Sequence, residues 1–485
     1  MIDYDVVIIG GSPTGRYAAA LATQLQARVA LVEPQKPTFA GQCWRWGYSA
    51  ALRSVGQTVR QIERSQQLGW DSTSDNCNLD QTFSLNWRQT KQWMEAVVSN
   101  LEEQDSPAML AALGVDVIFG QGEFVSQPHL AFVVNQRTLR SRTYLLATAS
   151  QPKIPEIEGL LLTGFLTAET INKLTRIPEH LAIIGGDPSG TELAQTFARL
   201  GSNVTMIIKH DHILGKEDPE AAGLIQAKLE AVGIKILTQT EVIQAQKIQD
   251  KKWIQAGNKA IEVDEIIVAA GQQPQLNRLN LEALGVAFNR EYLRLNEKLQ
   301  TTHSRIYACG NLSGGYSYPH LANYEATIAL KNALYLPIFQ VNYQGVPWAV
   351  FSDPQLARVG LTETQAKRRY GDDILVYRDY FKHLPKAIIE EETVGFFKLI
   401  GHQNGEILGA SIVGPQASEM ISLIALAIRQ GLKIQAIAQL PQIWPTFSQM
   451  SQQTAIAWLQ HQRRCNTLLI DWIENLFHWR RSWSS

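Results

Sequence analysis

Asp5-Val6-Val7-Ile8-Ile9-Gly10-Gly11-Ser12-Pro13-Thr14-Gly15 decides the fold of this chain. The first five residues, rich in β-branched side chains, predict a buried strand; a glycine turn follows, and Arg16 to Gln26 predicts a helix. Gly10 and Gly15 permit the tight bend and let the helix pack on the strand, while the helix start points N–H groups at an anion. Ser12 replaces the glycine expected between them, a mild departure because serine is small and can donate a hydrogen bond. Arg28 to Val32 predicts a second strand, and Glu33 ends it, where an acid accepts a hydrogen bond from a ribose hydroxyl. A lone glycine-rich turn means little; strand, turn, helix, strand and acid together point to a dinucleotide.

The same pattern returns as Leu181 to Ile184, then Gly185-Gly186-Asp187-Pro188-Ser189-Gly190, a helix from Thr191 to Leu200 and a strand from Asn203 to Ile208. Two such units imply two nucleotides, with Gly185 and Gly190 as the second pair of turn glycines. Here the middle position is Asp187. A carboxylate about 4 Å from a pyrophosphate repels it by roughly 4 kcal/mol at an effective dielectric near 20, about a thousandfold in affinity. Asp is also a favoured N-cap and Pro188 suits the first helical position, so the carboxylate can occupy the anion site itself. Both readings stand at this stage. The strand ends in Lys209-His210, two cations that favour a 2′-phosphate and therefore NADPH over NADH.

Working outward, 485 residues suggest about three modules. With 44 Lys plus Arg against 45 Asp plus Glu, the formal charge is −1, which argues against a nucleic-acid binder. The four cysteines, Cys43, Cys77, Cys309 and Cys465, are too scattered for a disulfide framework or a zinc ribbon, and metal sites are not expected. The N-terminus does not read as a signal peptide and no apolar run reaches membrane-spanning length, so a cytoplasmic location is expected.

Further motifs resemble the pyridine nucleotide-disulfide oxidoreductases, flavoproteins with two dinucleotide folds. Ala147-Thr148-Ala149-Ser150-Gln151-Pro152 resembles the crossover into the family's nucleotide domain, and Ala269-Ala270-Gly271-Gln272-Gln273-Pro274 its return. Thr302 to Asn311, ending Cys309-Gly310-Asn311, is similar to the second flavin motif; Phe351 to Glu363 is similar to the opening of the interface domain. The resemblance implies an α/β chain with two Rossmann-like domains and a C-terminal α+β interface domain. Its expected parts are a flavin domain at 1–152 and 271–335, a nucleotide domain at 153–270, an interface domain at 336–454 and an extension at 455–485. It implies FAD held by Gly10, Ser12, Gly15, Glu33, Gly41, Cys43, Thr148, Gly310 and Asn311, the last replacing an Asp. It also implies a nicotinamide nucleotide at Gly185, Gly190, Lys209 and His210, and a homodimer.

The family's chemistry is altered. Disulfide-reducing members carry a CxxxxC pair, in which one thiolate attacks substrate and the other contacts the flavin. Here the positions read Cys43 and Tyr48. The flavin-side Lys corresponds to Ala51, while its Glu partner is kept as Glu192. The family's His-Pro-Thr-x-x-Glu is Trp444-Pro445-Thr446-Phe447-Ser448-Gln449, and neither Trp nor Gln exchanges a proton near neutral pH. Catalytic candidates are therefore Cys43, Tyr48 and Glu192, with Tyr48 and Trp46 reading equally well as core aromatics. The soluble transhydrogenase branch, which has a single cysteine followed by Trp-Gly and an aromatic in the histidine position, resembles this pattern most. Hydride transfer to a small acceptor other than a disulfide is one expectation, and a flavin-bound homodimer that has lost turnover and acts as a sensor, scaffold or partner-binding protein is the other.

Five of the twelve tryptophans fall at or after Trp444. Leu469, Trp472, Ile473, Leu476 and Trp479 recur at helical spacing, and Arg480-Arg481 close the helix. The stripe suits a docked helix on the dimer or a peripheral membrane contact.

Overall fold

The computed structural model describes residues 2–34, 46–68, 85–276, 278–289, 292–314, 318–465 and 467–483. They form two compact units, Met1–Lys209 with Lys235–Val341, and His210–Ile234 with Asn342–Ser485.

In the first unit β1 (Tyr4–Ile9) leads into α1 (Pro13–Gln24) and β2 (Val29–Glu33). Helices α2 (Trp46–Gln67) and α3 (Trp87–Glu103) precede β3 (Asp116–Phe119) and β4 (Ser141–Leu146). The plan then repeats with β5 (His180–Ile184), α4 (Pro188–Arg199) and β6 (Asn203–Ile207). Helix α5 (Pro219–Ala231) belongs to the other unit, and the chain returns through β7 (Lys235–Leu237), β8 (Glu265–Val268), β9 (Ile306–Ala308) and α6 (Pro319–Leu334).

Two parallel sheets result, in the orders β9-β4-β1-β2-β3 and β7-β6-β5-β8. β1 is central and covered on both faces, which is why its sequence is a continuous apolar run. Val6 and Ile8 pack with Ala18, Ala19 and Ala22 of α1 and Ala326 and Ala329 of α6. Val7 and Ile9 face the opposite way, onto Phe124, Phe132 and Val134 of an antiparallel sheet. Alanines on the helical side allow close helix–strand approach. The second sheet is covered similarly, Ala182, Ile184 and Ile207 packing with Ala245, Ile254 and Val263.

The second unit is an antiparallel sheet of β10 (Trp348–Val350), β11 (Gln355–Gly360), β12 (Ile374–Tyr380), β13 (Phe396–His402) and β14 (Ile407–Gly414), ordered β10-β11-β14-β13-β12. Helices α7 (Ala417–Arg429) and α8 (Gln449–Cys465) share its core, and α9 (Thr467–Ser482) follows. Helix α5 is tied to this sheet by buried charges. Arg358 pairs with Glu217 at 2.8 Å, and Lys398, 2% exposed, reaches Asp218 at 3.3 Å and Glu220 at 2.7 Å. The expected fold class is thus present: two Rossmann-like folds and an α+β C-terminal domain. Residues 210–234, inside the stretch expected as the nucleotide domain, group with the C-terminal unit.

Candidate functional site

The two glycine turns lie at the C-terminal edges of the parallel sheets, where doubly wound folds bind ligands. In the first, Ser12 caps α1 with its hydroxyl oxygen accepting from the Gly15 amide at 3.1 Å. The same hydroxyl donates to the Ala147 carbonyl at 2.7 Å, joining the turn to the loop after β4. Gly10 has φ +125°, and a Cβ there would stand 2.3 Å from the Ala147 oxygen. A Cβ on Gly15 would stand 2.0 Å from the Gly10 oxygen, so both glycines are fixed by backbone approach. On that loop the buried Thr148 Oγ1 has no hydrogen-bond partner. An orphaned hydroxyl beside a helix start and a glycine cradle fits a phosphate-bearing cofactor, so the first turn suits FAD.

The second turn repeats this backbone. Asp187 caps α4, accepting from the Gly190 amide at 2.7 Å and the Ser189 hydroxyl at 2.9 Å. Gly185 has φ +113°, and its Cβ would lie 2.0 Å from the Ala269 oxygen. Buried, unpartnered Thr191 Oγ1 and Gln272 Oε1 follow Gly190 and Gly271. Because Ser12 makes the same cap, capping does not distinguish a blocked turn from a working one. Charge does. Burial raises the Asp187 carboxyl to about 6, with the Gly190 amide and Ser189 hydroxyl pulling against it, so its charge titrates near neutrality.

The remaining expected residues are distributed as follows. Glu33, at the end of β2, is 1% exposed and bidentate to Arg16, at 2.9 and 3.2 Å. Asn311 donates from Nδ2 to the Ser150 hydroxyl at 2.5 Å, joining the second flavin-type motif to the crossover. Gly310 donates its amide to Glu325 at 2.6 Å. Glu325, 1% exposed on α6, organises that turn and was not singled out from sequence, because its partner lies in another element. Burial, and then Glu325, pushes the Cys309 thiol well up, which makes it an inert core residue.

Glu192 on α4 pairs with Arg53 of α2, so a cation is present although Ala51 supplies none. Tyr48 is 3% exposed in the first turn of α2, while Trp46 is 39% exposed. Lys209 pairs with Glu241 at 2.5 Å on the surface, and exposed His210 begins the other unit. In the second unit Trp444 is 68% exposed, and the Gln449 side-chain oxygen accepts from the Thr446 amide at 3.3 Å. Gly41, Cys43 and Cys77 lie outside the described residues, as does the side chain of Cys465. No group of His, Cys, Asp and Glu among the described residues could hold a metal ion, and no helix among them could cross a membrane.

Comparison with known proteins agrees with this layout. The chain is 30% identical to mercuric reductase of Staphylococcus aureus over 444 residues, 89% of this chain and 78% of that protein. It is 30% identical to dihydrolipoyl dehydrogenase of Bacillus subtilis over 471 residues, 94% of this chain and 96% of that protein. The HOCl-induced flavoprotein disulfide reductase RclA of Escherichia coli, solved as a Cu(II) complex, superposes with a TM-score of 0.80 at 26% identity, covering 94% of this chain and 100% of that one. The family description for pyridine nucleotide-disulphide oxidoreductase matches residues 4–326, and that for the family's dimerisation domain matches 346–455. The chain belongs to the pyridine nucleotide-disulphide oxidoreductase family.

Proposed function

We propose that this chain is an FAD-dependent oxidoreductase that takes hydride from a reduced nicotinamide, NADPH before NADH, and delivers electrons to a small acceptor other than a disulfide. The observation that carries the reading is Tyr48 at the second position of the family's cysteine pair, on a chain whose first dinucleotide turn is intact. The turn from Gly10 to Gly15 would hold the pyrophosphate, Glu33 the ribose and Asn311 the ribityl chain, with Thr148 as a further donor. When bound, FAD supplies the two-electron carrier. Trp444 and Gln449 cannot relay a proton to a departing thiol, so the chain's residues favour a hydride acceptor over a dithiol. A quinone, a dye or a second nicotinamide fits that requirement.

The test is steady-state oxidation of NADPH with each acceptor class. Turnover with a quinone or a nicotinamide analogue and none with oxidised lipoamide or glutathione supports the proposal; efficient disulfide reduction sinks it. A second reading, a flavin-bound dimer without turnover, is favoured by Asp187, whose charge opposes a nucleotide at the second turn. Flavin that no reduced nicotinamide bleaches would select it.

The dimerisation-domain match supports a homodimer. For the tail we favour contact with a second copy, since Trp472, Phe477 and Trp479 on α9, and Trp483 just after it, are 62%, 49%, 54% and 77% exposed. A vesicle-bound fraction that disappears on deletion beyond Asn466 would assign this face to a membrane instead.

A further inference from the structure

Arg16 is fully buried on α1, a helix whose other buried residues are Gly15, Ala18, Ala19 and Ala22. A guanidinium is tolerated there only if paired and hydrogen-bonded. Its fork grips Glu33, Nε to Oε1 at 2.9 Å and Nη2 to Oε2 at 3.2 Å. The remaining nitrogen, Nη1, bonds the Asp105 carbonyl at 3.4 Å and lies 3.6 Å from Glu102 Oε1 and 3.9 Å from Asp105 Oδ1. Arg16 therefore faces three carboxylates, drawn from β2, the end of α3 and the turn after it. Arg16, Asp105 and Glu102 all act on the Glu33 carboxyl.

The cluster sits under the first glycine turn. A Cβ on Gly11 would fall 2.4 Å from Glu33 Cγ, so the turn is glycine here because the Glu33 side chain lies against it. A bidentate fork leaves each carboxylate oxygen with a further lone pair, which a vicinal diol can use.

We propose that Arg16 is a positioning residue for the ribose end of the dinucleotide at the first turn, and that Glu102 and Asp105, sharing its guanidinium, set the acidity at which that hold is lost. The inference rests on the reading that this turn takes FAD. Burial raises the Glu33 carboxyl, the Arg16 fork opposes the rise, and Asp105 and Glu102 add to it. Protonated Glu33 loses acceptor capacity for the diol, so flavin leaves as pH falls. Removing the two neighbouring acids lowers the pH of release; removing Arg16 raises it.

The experiment measures the flavin-to-protein absorbance ratio of the full-length holoprotein after desalting, in steps from about pH 8 to about pH 4.5. Glu102→Gln with Asp105→Asn is expected to shift the release midpoint down by about half a unit or more, and Arg16→Gln up by about one unit. Arg16→Lys, a charge without the fork, is expected between Arg16→Gln and wild type. Should Arg16→Gln fail to fold, the double acid variant decides alone, because tighter retention at low pH cannot come from misfolding. An unshifted midpoint in the double acid variant overturns the inference. Wild-type protein that carries no flavin at any pH overturns the FAD reading instead, so the two failures are distinguishable.

Discussion

The first and second glycine turns share a backbone and differ in one side chain that governs their charge. Both have a positive-φ glycine pressed on a carbonyl oxygen, a proline at the start of the helix and an N-cap accepting from the third helical amide. Ser12 brings a neutral hydroxyl to that cap, and Asp187 brings a carboxyl that titrates at about 6. The fold therefore constrains the glycines alike and leaves the charge at the cap free to differ. Strand–turn–helix packing says nothing about which anion is welcome, and the cap residue says a good deal.

The largest effect tests the shared part. Gly10→Ala and Gly185→Ala each place a Cβ within 2.3 Å of a backbone oxygen, at positive φ. Each should cost about 3 kcal/mol or more and lower the melting temperature sharply. If either variant melts like the parent, the two turns are not held by the same approach. Exchanging the caps tests the differing part. Ser12→Asp should weaken flavin retention by up to about a thousandfold, roughly 4 kcal/mol. Asp187→Ser should tighten NADPH binding by a comparable or smaller factor, read by fluorescence titration.

Titration refines the exchange. The Asp187 carboxyl is raised from 3.8 to about 6, so it is neutral below and charged above that value. Nucleotide affinity at the second turn should then fall as pH rises through 6, by up to about tenfold per unit, with the slope absent in Asp187→Ser. A wild-type profile flat from pH 5 to 8 would show that the carboxylate does not meet the nucleotide. The smallest expected effect is at Lys209, whose partner Glu241 is as exposed as itself. Lys209→Ala should change the NADPH-to-NADH preference by a factor of only a few, as expected of a solvent-screened surface charge.

Much of this was legible in the sequence. Continuous apolar runs at Val6 to Ile9 and Leu181 to Ile184 mark strands buried on both faces, and Asp187-Pro188 announces a capped helix start. Tyr48 and Trp444, by residue type alone, carry the proposed departure from thiol chemistry. What could not be read were partnerships between distant elements. Arg53 pairs with Glu192, and nothing in the periodicity of α2 indicates it. Glu325 reaches back to Gly310, and Arg16 finds Glu33, Glu102 and Asp105, because the fold juxtaposes segments that carry no common spacing. The grouping of α5 with the antiparallel sheet rests on Glu217 and Asp218 meeting Arg358 and Lys398 far along the chain. Local pattern encodes elements and their faces, whereas ion pairs between elements exist only once the topology is set.

Whether hydride enters this chain through a flavin despite Asp187 is read from the visible spectrum of the purified full-length protein mixed with NADPH in the absence of oxygen. A yellow protein whose flavin band bleaches with NADPH, faster than with NADH, is expected. A yellow protein left unchanged by both nucleotides, or a colourless one, would contradict it.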